Sequence, residues 1–123
     1  MSDVTTVVDT YLAAYGEPDP TTRRPLIEKS WSPAGTLIDP PMDATGHDAL
    51  DAMFAAVQGQ FPGHTFRRTS QIDTHHGIGR YAWDLISPDG SVTLAGTDFV
   101  QFGDDDRLVH VTGFFGPLAP IES

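Results

Sequence analysis

The spacing of hydrophobic residues changes once along this chain, near Pro62-Gly63. Before that point apolar side chains recur three and four residues apart, which indicates amphipathic α-helices. After it they alternate with polar side chains in runs bounded by Gly, Pro and Asp, which is typical of β-strands. Helices that precede strands favour an α+β fold, in which the helices pack on one side of an antiparallel sheet.

Three helices are predicted before this change. The first spans about Asp3 to Tyr15, and its apolar face contains Tyr11. A second, short helix is capped by Thr21 or Thr22 and carries Trp31, and a third runs from about residue 46 to 61 and carries Phe54. A turn at 32–35 precedes a short strand, 36–39, which stops at Pro40-Pro41 because proline lacks an amide donor.

Four further strands are predicted after the change, joined by connections of hairpin length. They cover residues 65–74, 78–86, 91–102 and 108–115. With 123 residues and no internal repeat, the chain is predicted to form one domain, residues 1–123.

The charge balance excludes several classes of partner. Seven basic against 17 acidic residues give a net charge of −10, which disfavours binding to nucleic acids and to anionic membrane surfaces. The chain has no cysteine, so thiol catalysis and thiolate metal sites are excluded. It also lacks an apolar run of the ~18 residues needed for a membrane span, and a secretory pattern at its start, so a cytoplasmic location is predicted.

The stretch LAGTDFVQF places Asp98 inside an apolar, strand-forming run. Burying an ionised carboxylate costs several kcal/mol unless it is paired, hydrogen-bonded or protonated. A buried Asp98 would therefore be a candidate neutral hydrogen-bond donor. The alternative is that Asp98 faces solvent from a half-exposed strand, and its own sequence context does not decide between the two.

Residues two apart on a strand share a face, so an inward-pointing Asp98 would be accompanied by Val100. On the neighbouring strands the apolar inward set is expected to be the one that contains Trp83. These residues are predicted to form the wall of a pocket, and the alternative is that they only fill a core. The full predicted wall consists of Trp31, Phe54, Tyr81, Trp83, Leu85, Val100, Val111 and Phe115.

Four segments carry a resemblance to a known group of proteins: VVDTYLAAY, LIDPP, GTDFVQF and the terminal GFFG. Together with the order of elements, they resemble the nuclear transport factor 2-like superfamily, in particular the bacterial ketosteroid isomerases and the SnoaL-like polyketide cyclases. The resemblance implies a cone-shaped fold of three helices and a bent sheet around a pocket. It also implies a catalytic tyrosine at Tyr11, a general base at Asp39 and a protonated hydrogen-bond donor at Asp98.

The function implied by this resemblance is cofactor-free acid/base chemistry on a small hydrophobic carbonyl compound. A base removes a proton beside the carbonyl, and donors stabilise the negative charge that develops on the oxygen. For two of the residues a structural role is the alternative: Asp39 as a turn-forming residue before proline, and Tyr11 as a core tyrosine.

Three other functions remain open on the same fold. One is a non-catalytic small-molecule binding domain. Another is an epoxide hydrolase, for which Arg80 and Asp84 are the candidates, although both are expected to point away from the pocket. A dehydratase would require a histidine in the pocket. No metal site is expected, because His75 and His76 are adjacent and would point to opposite faces of a strand.

The outer face of the predicted sheet carries Phe99, His110, Thr112 and Phe114. Aromatic side chains exposed on a sheet often mark a contact surface. Members of the superfamily that this chain resembles dimerise through the corresponding face. A homodimer through the outer sheet face is therefore expected.

Overall fold

The computed structural model describes residues 3–122, which contain three helices. Helix α1 spans Val4–Tyr15, α2 spans Pro20–Ser30 and α3 spans His47–Gln60. The first is capped by Asp3, whose carboxylate accepts the amide of Thr5 at 3.0 Å. The second is capped by Asp19, not by Thr21 or Thr22 as predicted, because the Asp19 carboxylate accepts the Thr21 amide.

Seven strands form one sheet: β1 (Trp31–Asp39), β2 (Met42–Thr45), β3 (Thr65–Arg68), β4 (Asp73–His75), β5 (Ile78–Ile86), β6 (Val92–Phe102) and β7 (Leu108–Phe115). Their order is β2-β1-β7-β6-β5-β3, and β4 pairs with β5 off this path. The pair β1 and β7 is parallel, whereas the other pairs are antiparallel. The sheet is therefore mixed rather than purely antiparallel as predicted.

The start of β1 differs from the prediction. Trp31 begins this strand instead of ending α2, and residues 32–35 belong to the strand instead of forming a turn. The turn-forming residues lie at an irregularity in the register between β1 and β7, between Trp31 and Thr36. Gly35 is needed there because a Cβ at this position would overlap the Trp31 ring.

The strand predicted at 65–74 is also divided, into β3 and β4. At the break, the amide of Thr69 still donates to Ala82 O, but the amide of Ala82 donates to the hydroxyl of Ser70. A side chain thus replaces the backbone acceptor where the chain leaves the regular ladder.

The helices and the inner face of the sheet enclose the core. Burial along β5 alternates as predicted: Tyr81, Trp83 and Leu85 are buried. On β6, Asp98 and Val100 are buried, whereas Phe99 between them is 44% exposed. The expectation that these inward residues share one face is therefore confirmed. In residues 3–122, no helix is long and apolar enough to cross a membrane.

Candidate functional site

A cavity of about 190 Å³ lies between α1, α3 and the inner face of the sheet. Its wall is mostly apolar and contains one carboxyl group, that of Asp39. The lining residues are Tyr15, Asp39, Pro40, Pro41, Met42, Val57, Gln60, Phe61, Phe66, Trp83, Leu85, Leu94 and Phe115.

Asp39 ends β1, immediately before the two prolines that turn the chain into β2. It is only 4% exposed. One carboxylate oxygen, Oδ2, accepts a hydrogen bond from the hydroxyl of Tyr15 at 2.8 Å. The other, Oδ1, is buried and has no hydrogen-bond partner among the described residues. Burial raises the pKa of Asp39 to about 6, although the Tyr15 hydrogen bond acts in the opposite direction.

Asp98 is even more deeply buried, at 2% exposure. Its Oδ2 accepts from the Tyr81 hydroxyl at 2.7 Å, and its Oδ1 accepts from Trp83 Nε1 at 3.0 Å. Burial raises the pKa of Asp98 to about 7; the nearby Asp39 charge adds to the rise, and the two hydrogen bonds oppose it. Asp98 does not line the cavity, but Trp83 both lines the cavity and donates to Asp98.

Gly113 on β7 separates the two carboxyl groups. It pairs with Asp98 across the sheet, and a Cβ built on it would lie 3.0 Å from Asp39 Cγ and 3.2 Å from Asp98 Oδ1. That Cβ would also overlap Asp39 Oδ1. The glycine that begins the GFFG motif therefore allows both carboxyl groups to approach one point in the backbone. Two buried like charges this close disfavour simultaneous ionisation.

Tyr11 lies in the core next to this pair. It is 1% exposed, its ring centroid is 5.3 Å from that of Trp31, and its hydroxyl donates to neither Asp39 nor Asp98. Burial raises the pKa of Tyr11 well above its usual value, and the charges of Asp98 and Asp39 add to this rise. Tyr15, one helical turn later, is the tyrosine that contacts Asp39 and lines the cavity.

No protein-family model and no curated protein matches this chain. Among solved structures, a presumptive isomerase of the SnoaL-like family from Agrobacterium tumefaciens is 36% identical, with a TM-score of 0.86. The match covers 95% of this chain and 100% of that one. The chain belongs to the SnoaL-like family.

More distant structures share the fold. An NTF2-like protein of unknown function from Cytophaga hutchinsonii has a TM-score of 0.66 at 12% identity, covering 95% of this chain and 93% of that one. A presumptive SnoaL-like polyketide cyclase from Jannaschia also has a TM-score of 0.66, at 15% identity, covering 94% and 89%. Others have ketosteroid isomerase-like or cystatin-like folds. The fold implied by the four sequence segments is therefore confirmed.

The predicted site residues of this SnoaL-like protein separate into two layers. Asp39, Trp83, Leu85 and Phe115 line the cavity. A second set is buried around the cavity but does not line it, and consists of Tyr11, Trp31, Phe54, Tyr81, Asp98, Val100 and Val111. Tyr15, Phe61 and Phe66 also line the cavity but were not among the predicted site residues. For Tyr15 a signal was present, because it lies four residues after Tyr11 on the same apolar helix face.

The residues considered for other chemistry lie away from the cavity. Arg80 pairs with Asp73 at 3.0 Å, and Asp84 pairs with Arg67 at 3.6 Å. As expected, neither Arg80 nor Asp84 lines the cavity.

No histidine is among the cavity-lining residues. The expectation that His75 and His76 diverge is wrong, because His76 lies in a turn with φ 53° and the two Nδ1 atoms are 2.9 Å apart. Residues 3–122 contain no group of three or more side chains that could hold a metal ion.

Proposed function

We propose that this SnoaL-like protein is a cofactor-free acid/base enzyme that transfers a proton at a carbon beside the carbonyl of a small hydrophobic compound. In this reaction the base takes the proton, the electron pair delocalises onto the carbonyl oxygen as an enolate, and the proton returns to carbon. An isomerase returns it at a different carbon, whereas a cyclase uses the enolate carbon to form a new bond. Neither reaction requires a metal or a redox cofactor.

The observation that supports this proposal most directly is the environment of Asp39. It is the one carboxyl group on a mostly apolar cavity wall, and its Oδ1 has no hydrogen-bond partner among the described residues. A pKa of about 6 keeps Asp39 mostly ionised at neutral pH while making it a stronger base than an ordinary carboxylate. Both properties suit a general base that takes a proton from carbon.

The other two residues of the proposed catalytic set, Asp98 and Tyr11, are buried next to Asp39 but do not line the cavity. With a pKa of about 7, Asp98 holds a proton in a substantial fraction of molecules at neutral pH, which limits the negative charge beside Asp39. Tyr11 has its hydroxyl in the field of both carboxyl groups. Tyr15 and Trp83 line the cavity, and in the structure they donate to Asp39 and Asp98; we propose that these hydrogen bonds shift to the substrate oxygen as negative charge develops on it.

The size of the cavity limits the substrate. Pockets that hold drug-sized ligands have volumes of roughly 300–1,000 Å³. The 190 Å³ cavity is smaller than this range, which favours a one-ring or short-chain carbonyl compound over a four-ring steroid.

Deuterium incorporation tests the proposal with simple ketones in place of the natural substrate. Small cyclic ketones are incubated with the protein in D₂O at pD near 7, and exchange at the carbon beside the carbonyl is followed by NMR. Asp39→Asn removes the base with almost no change of shape and should lose at least a hundredfold of the exchange rate. Asp43→Asn, an exposed carboxylate on the adjacent strand, is the matched control and should keep the full rate.

A second candidate function is non-catalytic binding of a small hydrophobic molecule. It is favoured by Asp98, because both of its oxygens are occupied by Tyr81 and Trp83 and do not face the cavity. Exchange rates equal in wild type and Asp39→Asn, across the whole ketone series, would select this second function and reject the first.

We also propose that the protein forms a homodimer through the outer face of the sheet. A groove of about 550 Å³ crosses this face and includes Ile78, Phe99, His110 and Thr112. Phe99 packs edge to face against Phe114 at 5.8 Å, and both side chains are largely exposed. Light scattering at micromolar concentration should give twice the chain mass for wild type and a lower mass for Phe99→Asp. A monomer mass for wild type would reject the dimer.

A further inference from the structure

The two buried carboxyl groups, Asp39 and Asp98, have no cationic partner among the described residues. All six arginines form ion pairs elsewhere, and Lys29 is exposed in the last turn of α2. The arginine pairs are Arg23–Asp51, Arg24–Asp48, Arg67–Asp84, Arg68–Asp9, Arg80–Asp73 and Arg107–Asp105. Asp39 lines the cavity, so when it ionises, its charge lies beside the cavity and no cationic side chain of the described residues neutralises it.

Aromatic side chains form much of the wall around this charge. They belong to Tyr15, Phe61, Phe66, Trp83 and Phe115. Tyr15 and Phe66 are stacked, whereas the ring planes of Phe66 and Trp83 are inclined by 64° and those of Trp83 and Phe115 by 90°, so the aromatic wall contains rings in more than one orientation. Aromatic faces carry negative electrostatic potential and attract alkylammonium groups, most strongly where water is excluded.

The net charge of the whole protein also favours binding of a cation. A net charge of −10 attracts small cations and repels anions, and no basic side chain lines the cavity to reverse this preference. A volume of about 190 Å³ admits a compound with few heavy atoms.

We propose that this cavity binds a small organic cation, an alkylammonium group, between its aromatic wall and the carboxylate of Asp39. The ammonium charge replaces the missing protein partner of Asp39, and the alkyl groups contact the rings. This inference depends on the cavity and on Asp39 but not on proton transfer from carbon, so it can hold whether or not the protein is an enzyme.

A pair of probes with the same shape tests the role of charge. Choline carries a trimethylammonium group, and 3,3-dimethylbutan-1-ol is its neutral carbon counterpart. Isothermal titration calorimetry at pH 7 should give at least tenfold tighter binding for choline. Equal affinities, tighter binding of the alcohol, or no binding of either probe at 50 mM would overturn the proposal.

The pH dependence of binding gives a second measurement on the unmodified protein. Asp39 faces Tyr11 and Tyr15 from α1, Tyr81 from β5 and Asp98 from β6. The tyrosines stay neutral in the range tested, because burial raises the pKa of all three. Since burial raises the pKa of Asp39 to about 6, choline affinity should rise about tenfold from pH 5 to pH 7. The neutral alcohol should show no such dependence.

Substitutions at the cavity wall test whether choline binds in this cavity. In Asp39→Asn the choline affinity should fall to that of the alcohol, whereas Asp43→Asn should bind choline like wild type. Phe115→Leu tests the aromatic wall at a position that is 42% exposed, and should weaken choline binding more than alcohol binding. If Asp39→Asn does not fold, Phe115→Leu and the pH dependence decide. Choline affinity that is unchanged in Phe115→Leu and independent of pH would overturn the proposal, whatever the deuterium exchange rates are.

Discussion

Within residues 3–122, carboxyl groups on the two faces of the central sheet have opposite environments: they are paired with arginine on the outer face and lack a cation on the inner face. On the outer face, Asp73 and Asp84 lie beside Arg80 and Arg67, and solvent screens these pairs. On the inner face, Asp39 and Asp98 have hydrogen bonds from tyrosine and tryptophan but no cation. The same residue type therefore serves as a screened surface charge on one side and as a titratable group in a cavity on the other. Burial and the choice of partner produce this difference.

The close approach of the two inner carboxyl groups depends on Gly113, and removing that space should have the largest effect. Gly113→Ala adds a Cβ that overlaps Asp39, which should lower the free energy of unfolding by about 1–3 kcal/mol. Gly59→Ala is the control, because nothing lies within 4 Å of its added Cβ in α3 and alanine favours the helix. Urea unfolding should therefore show a loss for the first variant and a small gain for the second. Equal stabilities would contradict the packing of Asp39 against Gly113.

The inner carboxyl groups should also make stability fall as pH rises. Because the pKa of Asp98 in the folded protein, about 7, is higher than in the unfolded chain, the folded state binds more protons between pH 4 and 7. Its contribution should lower the free energy of unfolding by about 2 kcal/mol from pH 5 to pH 7. In Asp98→Asn this slope should become shallower, whatever the variant's stability at pH 5. A slope identical to that of wild type would show that Asp98 is ionised throughout.

Tyr15→Phe should change the chemistry of Asp39 while keeping the ring that stacks between Phe54 and Phe66. The lost hydrogen bond favoured the ionised carboxylate, so the pKa of Asp39 should rise by about one unit. The pH profile of deuterium exchange should move upward by the same amount. Tyr11→Phe is the control and should leave the profile nearly in place, because the Tyr11 hydroxyl forms no hydrogen bond with Asp39.

The outer face should give the smallest response. Arg80→Ala removes an exposed pair with Asp73, both members of which are about two-thirds exposed. Pairs of this kind contribute about 0–1 kcal/mol, so the urea midpoint should hardly move and the effect should shrink further in 0.5 M salt. A loss as large as that of Gly113→Ala would remove the distinction between the two faces.

Much of the fold could be predicted because its signals are local. The apolar period identifies α1 and α3, and strand alternation identifies β5 with its buried face of Tyr81, Trp83 and Leu85. The parallel pairing of β1 with β7 could not be predicted, since it joins segments that are far apart in the sequence. The capping of α2 by Asp19 was missed because several candidate caps follow each other there.

The site was predicted less completely for a physical reason. The resemblance singled out Asp39 and Asp98, and the structure shows that both are buried, but neither the resemblance nor strand parity fixes which tyrosine contacts which carboxyl group. Tyr11 and Tyr15 share a helix face, and only the packing of α1 against the sheet places Tyr15 on Asp39. The role of Gly113 was also invisible, because it depends on a close approach in space rather than on any local pattern.

Asp39 is a buried carboxyl group whose raised pKa lets it exchange a proton near neutral pH. Carbon-13 NMR of protein labelled at aspartate carboxyl groups, titrated from pH 3 to pH 9 and assigned with Asp39→Asn and Asp98→Asn, measures this directly. Two carboxyl resonances should titrate far above the rest, near pH 6 for Asp39 and pH 7 for Asp98. Titration of both groups near pH 4, together with the surface aspartates, would contradict this expectation.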